Sequence, residues 1–194
     1  MPAPRILFIR HGETDWNAAG RLQGLRDVPL NEIGRKQAAE AGRHLRRFAP
    51  DPGALPWVVS PLERARDTAD LARQAIGLPA GGYRLEPRVA ELSFGGWEGL
   101  TWRQVSKRDP GSARLRETAK WGMVPPDGES YAMLAERVRP WLDGLTQDTV
   151  AVSHGGVARV LLHLRAGLSR QDAPTQDIWQ GRVLLIEDGR AIWS

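Results

Sequence analysis

The chain has no cysteine. That excludes disulfides, thiolate metal centres and a cysteine nucleophile, and it fits a reducing compartment, so a cytoplasmic location is expected. Long apolar runs are missing too. Nothing approaches the roughly 20 residues that a membrane helix needs, and no membrane partner is expected. Lysine is scarce, with 3 residues against 24 arginines. There is no Lys/Arg block with interleaved aromatics and no recognisable nucleic-acid module, so no nucleic-acid partner is expected. Acidic residues alternate with the arginines on the helices, and the net charge of +4 reads as a solvated, salt-bridged surface that also suits a small anionic substrate. A Walker phosphate loop, a Gly-rich dinucleotide fingerprint and a nucleophile elbow are all absent. Glu13 and Asp15 stand close to a histidine, yet no HExxH or similar ligand spacing accompanies them, so no metal is expected. Met1 to Arg5 leads straight into the first strand, which leaves no room for a signal peptide.

What is present is an ordinary soluble composition, 41% hydrophobic and 26% charged over 194 residues. This suits one domain, residues 1–194, with a proper core. The apolar stretch within Arg5–Arg10 has the length of a buried strand and turns abruptly into His11-Gly12-Glu13-Thr14. Asn31 caps an expected helix over Glu32–Phe48, with Ile33, Ala38, Ala41, Leu45 and Phe48 as its apolar stripe. Pro50 to Pro56 reads as a loop and Trp57–Val59 as a strand. Ser60-Pro61-Leu62-Glu63 carries three start signals for a helix to Ile76: a cap at Ser60, proline at the first position, and a capping box closed by Glu63. Tyr83–Glu86 is an expected third strand. The stretch near 87–128 reads as a loop-rich cover over the substrate, with one short helix at Thr101–Lys107 and packed tryptophans at 97, 102 and 121. Ser130 opens a helix with Tyr131, Leu134, Val138 and Trp141 inward, which Pro140 should kink or divide. Thr149–Val152 is a strand, followed by Ser153-His154-Gly155-Gly156 and a buried helix over Val157–Ala166. Arg182–Glu187 and Arg190–Trp193 form a terminal hairpin around Asp188-Gly189.

Strands alternating with helices imply a three-layer α/β/α sandwich with a mostly parallel sheet. Ligands bind at the carboxyl edge of such a sheet. Three strand-to-helix junctions then meet there: Arg10-His11-Gly12, Ser60 to Arg64, and Ser153 to Gly156. Together they supply two histidines, two arginines and the free N–H groups of helix N-termini, which is an anion site. Each residue also has a plainer reading. Arg64 can be a solvated charge, His154 a hydrogen-bonded core histidine, and Gly155 and Gly156 the hinge of a tight turn. His44 and His163 lie within helical patterns and read as structural.

Taken in order, the motifs resemble the histidine phosphatase superfamily, also called phosphoglycerate mutase-like. The resemblance rests on Arg10-His11-Gly12-Glu13-Thr14 with Trp16-Asn17, Gln23-Gly24, Asp27-Val28-Pro29-Leu30 and Gly34 with Gln37-Ala38. It continues through Ser60-Pro61-Leu62-Glu63-Arg64-Ala65, Glu91 to Gly99, Pro126 to Ser130, and Ser153 to Gly156, spanning about residues 5–165. The resemblance implies His11 as nucleophile, forming a phosphohistidine that water hydrolyses. It implies that Arg10, Arg64, Asn17 and His154 hold the phosphoryl oxygens, and that Glu91, otherwise a surface charge before a turn, is the acid and base. Gln23, Gly24 and Gly155 are further implied contacts to substrate or phosphate. No cofactor is implied. The short chain and the Phe94 to Gly99 block resemble the phosphatase branch, the broad-specificity and α-ribazole phosphatase types, so a phosphomonoesterase of the histidine acid type is expected, acting on a small phosphorylated metabolite. The alternatives are a cofactor-dependent phosphoglycerate mutase and a non-catalytic phosphate-binding module.

Overall fold

A computed structural model describes residues 3–194. The expectation about the start of the chain rests partly on Met1 and Pro2, which lie outside them. In chain order the elements are β1 (Ile6–Arg10), α1 (Asp15–Ala18), α2 (Glu32–His44), β2 (Trp57–Val59), α3 (Glu63–Gln74), β3 (Arg84–Leu85), α4 (Trp102–Arg108), α5 (Pro110–Ala119), α6 (Tyr131–Asp143), β4 (Thr149–Ser153), α7 (Gly155–Ala166), β5 (Val183–Glu187) and β6 (Arg190–Trp193). The strands make one sheet in the order β3-β2-β4-β1-β5-β6. β3, β2, β4 and β1 run parallel, while the C-terminal hairpin adds β5 and β6 antiparallel.

Strand β1 shows why its apolar run is unbroken. Successive side chains point to opposite faces. Ile6 and Phe8 join Leu134 and Val138 of α6 and Val157 and Leu161 of α7. Leu7 and Ile9 join Ala41 of α2 and Ala65 and Ala69 of α3. Both faces are covered, so the strand has no polar side. The expected α/β sandwich is the observed one.

Local departures have identifiable causes. Helix α2 ends at His44 and tightens into a 3₁₀ turn over Leu45–Arg47 before reaching Phe48. Ile33, expected on its apolar stripe, is 55% exposed. The buried face is instead Gly34, Ala38, Ala41 and Gly42. A Cβ at Gly42 would run into the Ala72 backbone of α3, so small residues permit this close crossing. Helix α3 starts at Glu63 without a side-chain cap from its own residues. Its first N–H groups go to Asp27, with Glu63 N donating to Oδ2 at 2.6 Å. Ser60 and Pro61 lie outside the helix, and the local capping signal yields to a tertiary contact. Strand β3 keeps only Arg84 and Leu85 of the expected four residues, at the sheet edge. Helix α7 begins two residues early, at Gly155. Helix α6 runs to Asp143 undivided. Pro140 sits in its last turn, where its missing N–H deprives only the carbonyl of the exposed Glu136.

The 87–128 stretch holds α4, as expected, and also α5, which was not expected. Helix α5 buries no residue, so it lacks the apolar stripe that would reveal it. Its available signals were Asp109, which accepts from Ser112 N, and Pro110 at the first position. Beneath the stretch Leu22, Trp97, Val105 and Met123 form a separate apolar cluster. Trp102 meets Trp97 edge-on, and Trp121 stacks on Tyr131.

Candidate active site

Parallel pairing of β2, β4 and β1 aligns their carboxyl ends, with Val59 beside Val152 and Ser153 beside Arg10. The residues that follow must therefore share one sheet edge. His11 N donates to Ser153 O at 2.9 Å and Ser60 N to Val152 O at 3.0 Å. The ring centroids of His11 and His154 lie 5.2 Å apart, and both residues are buried. Arg10, His11, Asn17, Gln23, Gly24, Arg64, Glu91 and Gly155 line one cavity of about 280 Å³ beside them. Thus every residue singled out as catalytic or phosphate-binding stands in or against one cavity. Glu13 turns to Asn31 and Asp15 is exposed, and neither lines it. His44 pairs with Ser194 Oγ, and His163 with Leu168 O, both away from the cavity.

Hydrogen bonds set the state of each imidazole. His11 Nδ1 lies 2.8 Å from Gly12 O, an acceptor only, so Nδ1 carries the proton and Nε2 the lone pair. Gly12 itself must be glycine, because a Cβ would collide with the Gly34 backbone. Its N–H donates to Thr68 Oγ1 at 3.0 Å, and that hydroxyl donates to Arg64 O at 2.7 Å, tying α3 to the end of β1. Burial pushes the His11 pKa well below its ordinary value of 6.5, and the Arg64 and Arg10 charges push it further; the bond to Gly12 opposes them. His154 is likewise pushed well below, by burial first and then by Arg64, His11 and Arg10. Both rings are neutral at pH 7.

Ser60 has a role other than the expected cap. Its Oγ lies 2.7 Å from His154 Nε2, and Leu62 N approaches the same oxygen at 3.4 Å. Leu62 only donates to this oxygen, and among the described residues the hydroxyl hydrogen has no acceptor other than Nε2, so it goes to Nε2 and His154 Nδ1 keeps the ring proton. That atom is buried and without a partner. Ser60→Ala removes the group that selects this tautomer. The expected results are a changed ¹⁵N pattern for the His154 ring and an affinity for inorganic phosphate lowered about tenfold. Ser60→Thr should restore both, and a ring pattern indifferent to Ser60→Ala would refute the assignment.

The arginines are held from their far sides. Arg64 is fully buried; its Nη2 donates to Gly24 O at 2.7 Å, and its Nη1 to Arg26 O at 2.8 Å and Asp27 Oδ1 at 3.3 Å. The Gly24 carbonyl therefore serves Arg64. Gly24 has a φ of +55°, and a Cβ there would strike Glu98, so only glycine fits. Arg10 Nη1 donates to Ile178 O at 2.7 Å. Burial lowers the Arg10 pKa to about 10 against the raising effect of Glu91, which leaves it charged. Arg10 Nε and Arg64 Nε are buried without partners.

Glu91 sits at the N-terminus of α7. Its Oε1 accepts from Leu92 N at 2.8 Å and Gly156 N at 3.0 Å. A Cβ at Gly156 would occupy the space of that oxygen, so the second glycine serves the carboxylate. Arg137 of α6 pins the backbone that leads into Glu91, donating to Arg88 O, Ala90 O and Glu91 O, and is itself paired to Glu129 at 2.8 Å. Asn17 closes the capping box of α1, whose N-cap is Thr14: its Oδ1 accepts from Thr14 N at 3.2 Å and also from Gln180 Nε2 at 3.2 Å. Gln23 Nε2 donates to Thr14 Oγ1.

Sequence reasoning missed Asp27, Arg137, Ser60 and Gln180 as supports. Gln180 also donates to His11 O at 3.0 Å, from a stretch that carries no motif. Asp27 and Glu129 stood within quoted motif blocks, and their acidic side chains were the available signal.

Comparison with known proteins bears on this arrangement. A family model described as Histidine phosphatase superfamily (branch 1) matches residues 6–189. Glucosyl-3-phosphoglycerate phosphatase of Mycobacterium tuberculosis is 38% identical over 176 residues, covering 83% of this chain and 74% of that protein. A probable phosphoglycerate mutase of Erwinia tasmaniensis is 34% identical over 170 residues, covering 84% and 75%. The solved structure of a mycobacterial glucosyl-3-phosphoglycerate phosphatase complexed with VO3 superposes with a TM-score of 0.81 at 31% identity, covering 99% of this chain and 98% of that one. With the family model matched over nearly its whole length, the chain belongs to branch 1 of the histidine phosphatase superfamily.

Proposed function

We propose that this protein is a phosphomonoester phosphatase of the histidine acid type, acting on a small phosphorylated metabolite through a phosphohistidine at His11. The observation that carries this reading is that three of the buried donors without a partner, Arg10 Nε, Arg64 Nε and His154 Nδ1, belong to residues grouped around a neutral His11. A buried donor left unpaired costs about 1–3 kcal/mol, more if charged. A phosphoryl group satisfies all three at once.

The Nε2 lone pair of His11 attacks phosphorus, and the ester P–O bond breaks. The departing oxygen takes the proton of the Glu91 carboxyl. Water then attacks the phosphohistidine and gives its proton to the Glu91 carboxylate. The P–N bond breaks, inorganic phosphate leaves, and His11 is restored. Arg10, Arg64, Asn17 and His154 hold the equatorial oxygens, fixed beforehand by the contacts described above. Gln23, Gly24 and Gly155 line the approach. Burial and the two arginines keep the nucleophile uncharged in mildly acid solution, which suits acid-type chemistry. The stretch over 87–128 covers the substrate within a single domain. The named activity of the mycobacterial relative supports a phosphatase, whereas the Erwinia relative's name keeps the mutase reading in play.

Phosphate release from a panel of phosphomonoesters tests the proposal. Release should proceed in EDTA and without 2,3-bisphosphoglycerate. A protein that releases no phosphate but interconverts phosphoglycerates when that cofactor is added is a mutase, and the proposal fails.

A further inference from the structure

The Glu91 to Gly99 block carries two carboxylates, and the mechanism uses only the first. Glu98 does not line the cavity, and its side chain is 10% exposed. A carboxylate shielded to that degree needs hydrogen-bond donors. Its Oε1 accepts from Leu25 N at 3.0 Å and from Phe94 N at 3.2 Å. The exposed Arg26 adds only a loose ion pair, its Nε lying 3.7 Å from Oε2. Around Glu98 two loops run side by side. Gly99 N donates to Leu22 O at 2.8 Å, and Leu22 N to Leu100 O at 3.0 Å. One carboxylate therefore joins the loop that anchors Arg64 to the cover over the site.

The bond to Leu25 reaches the site through one peptide group. Leu25 N and Gly24 O belong to the same peptide. Its carbonyl accepts from Arg64 Nη2 at 2.7 Å, while its N–H donates to Glu98. Carboxylate, peptide and guanidinium thus form one line of hydrogen bonds in which each polarises the next. The orientation of that peptide matters. Gly24 has a φ of +55° and no Cβ to restrain the peptide beside it. A flipped peptide would aim an N–H at the guanidinium and an oxygen at the carboxylate, and both contacts would repel. Glu98 on one side and Arg64 on the other select the observed orientation. Among the described residues, Arg64 Nη1 has Arg26 O and Asp27 Oδ1 as acceptors, Nη2 has Gly24 O, and the buried Nε has none. The direction of Nε is therefore set by what holds the other two nitrogens. Burial lowers the Arg64 pKa, and Glu91, Asp27 and Glu98 raise it in turn, so Glu98 also helps to keep the guanidinium charged.

We propose that Glu98 is a positioning residue for Arg64: through the Gly24–Leu25 peptide it holds the guanidinium so that Nε faces the phosphoryl group. The proposal rests on the phosphatase reading, which gives Arg64 its task, and adds a residue that touches neither substrate nor nucleophile. Glu98 acts on the transition state only by fixing the donor that stabilises it.

A double-mutant cycle tests it, read by kcat/KM on p-nitrophenyl phosphate and by vanadate affinity. Glu98→Gln keeps an acceptor of the same shape and should stay within about threefold of the native protein in both. Glu98→Ala removes the acceptor and should lose about 10- to 100-fold in both, less than the roughly 10²- to 10³-fold cost of deleting a transition-state donor outright. In an Arg64→Gln background there is no guanidinium to hold, so adding Glu98→Ala should cost less than about twofold more. If Arg64→Gln does not fold, Arg64→Met, of similar length and apolar, takes its place in the cycle. A loss in the Arg64 background as large as in the native one means that Glu98 braces the loops without acting through Arg64, and the proposal falls. It falls as well if Glu98→Ala keeps the native rate and affinity, or if Glu98→Gln loses as much as Glu98→Ala. Vanadate affinity needs no turnover. A native protein that releases no phosphate from any ester therefore defeats the phosphatase reading, while the coupling of Glu98 to Arg64 is still read from vanadate.

Discussion

His11→Ala is expected to lower phosphate release by about 10⁴-fold or more and to abolish the phosphoenzyme. No neighbour can replace the lost nucleophile. His154 is the nearest imidazole, but its Nε2 is engaged by Ser60 and its Nδ1 carries a proton. The remaining site still binds the anion, because Arg10, Arg64 and His154 do not depend on the His11 ring for their own contacts. The variant should therefore keep affinity for inorganic phosphate while losing turnover. An alkaline quench after mixing with substrate, followed by intact-mass measurement, checks this, since the P–N bond survives base and hydrolyses in acid. A phosphoenzyme trapped in His11→Ala would place the nucleophile elsewhere. The same residue leaves a mark on stability. A histidine with a depressed folded-state pKa contributes stability that is complete above its unfolded value of about 6.5 and is lost as pH falls below it, at up to ~1.4 kcal/mol per pH unit. Denaturant midpoints should thus drop between pH 7 and pH 5, and less steeply in His11→Ala.

The parts of this site that could be read from the chain lie where a local pattern changes abruptly. Ile6 to Ile9 had to be a strand covered on both faces, and the turn into Arg10-His11-Gly12 had to lie at its carboxyl end. The same logic located Arg64 and His154, because parallel strands share an edge. What could not be read acts across long sequence separations. Gln180 reaches His11 over 169 positions and Asp27 reaches α3 over 36, and neither contact leaves a periodic trace. Ser60 was misread because Ser-Pro-x-Glu satisfies a local capping rule, while the folded chain satisfies those N–H groups from Asp27 and frees the serine for His154. Helix α5 escaped for a related reason. It buries nothing, so hydrophobic periodicity was silent, and its contribution to the cavity is a pair of cations, at Arg116 and, just beyond its end, Lys120.

Glu91→Gln separates the two proton transfers assigned to that residue. Glutamine preserves the shape, and its carbonyl can take over the bonds from Leu92 N and Gly156 N, so the fold and the α7 N-terminus should be undisturbed. What is lost is a proton to give and a base to receive one. An alkoxide is a poor leaving group and needs that proton, so turnover of alkyl phosphates should fall about 10²- to 10⁴-fold. A nitrophenolate departs without help, so the first step on p-nitrophenyl phosphate should be nearly as fast as in the native protein. Its second step still needs water to lose a proton, and that step should slow. The variant should then release about one equivalent of nitrophenol in a burst and continue slowly, with phosphohistidine accumulating. Stopped-flow absorbance resolves the burst, and the alkyl and aryl rates give the leaving-group dependence. Equal slowing on both esters with no burst would mean that Glu91 orders the site without moving a proton. The acid would then have to be sought among the other groups that line the cavity, Tyr131 first.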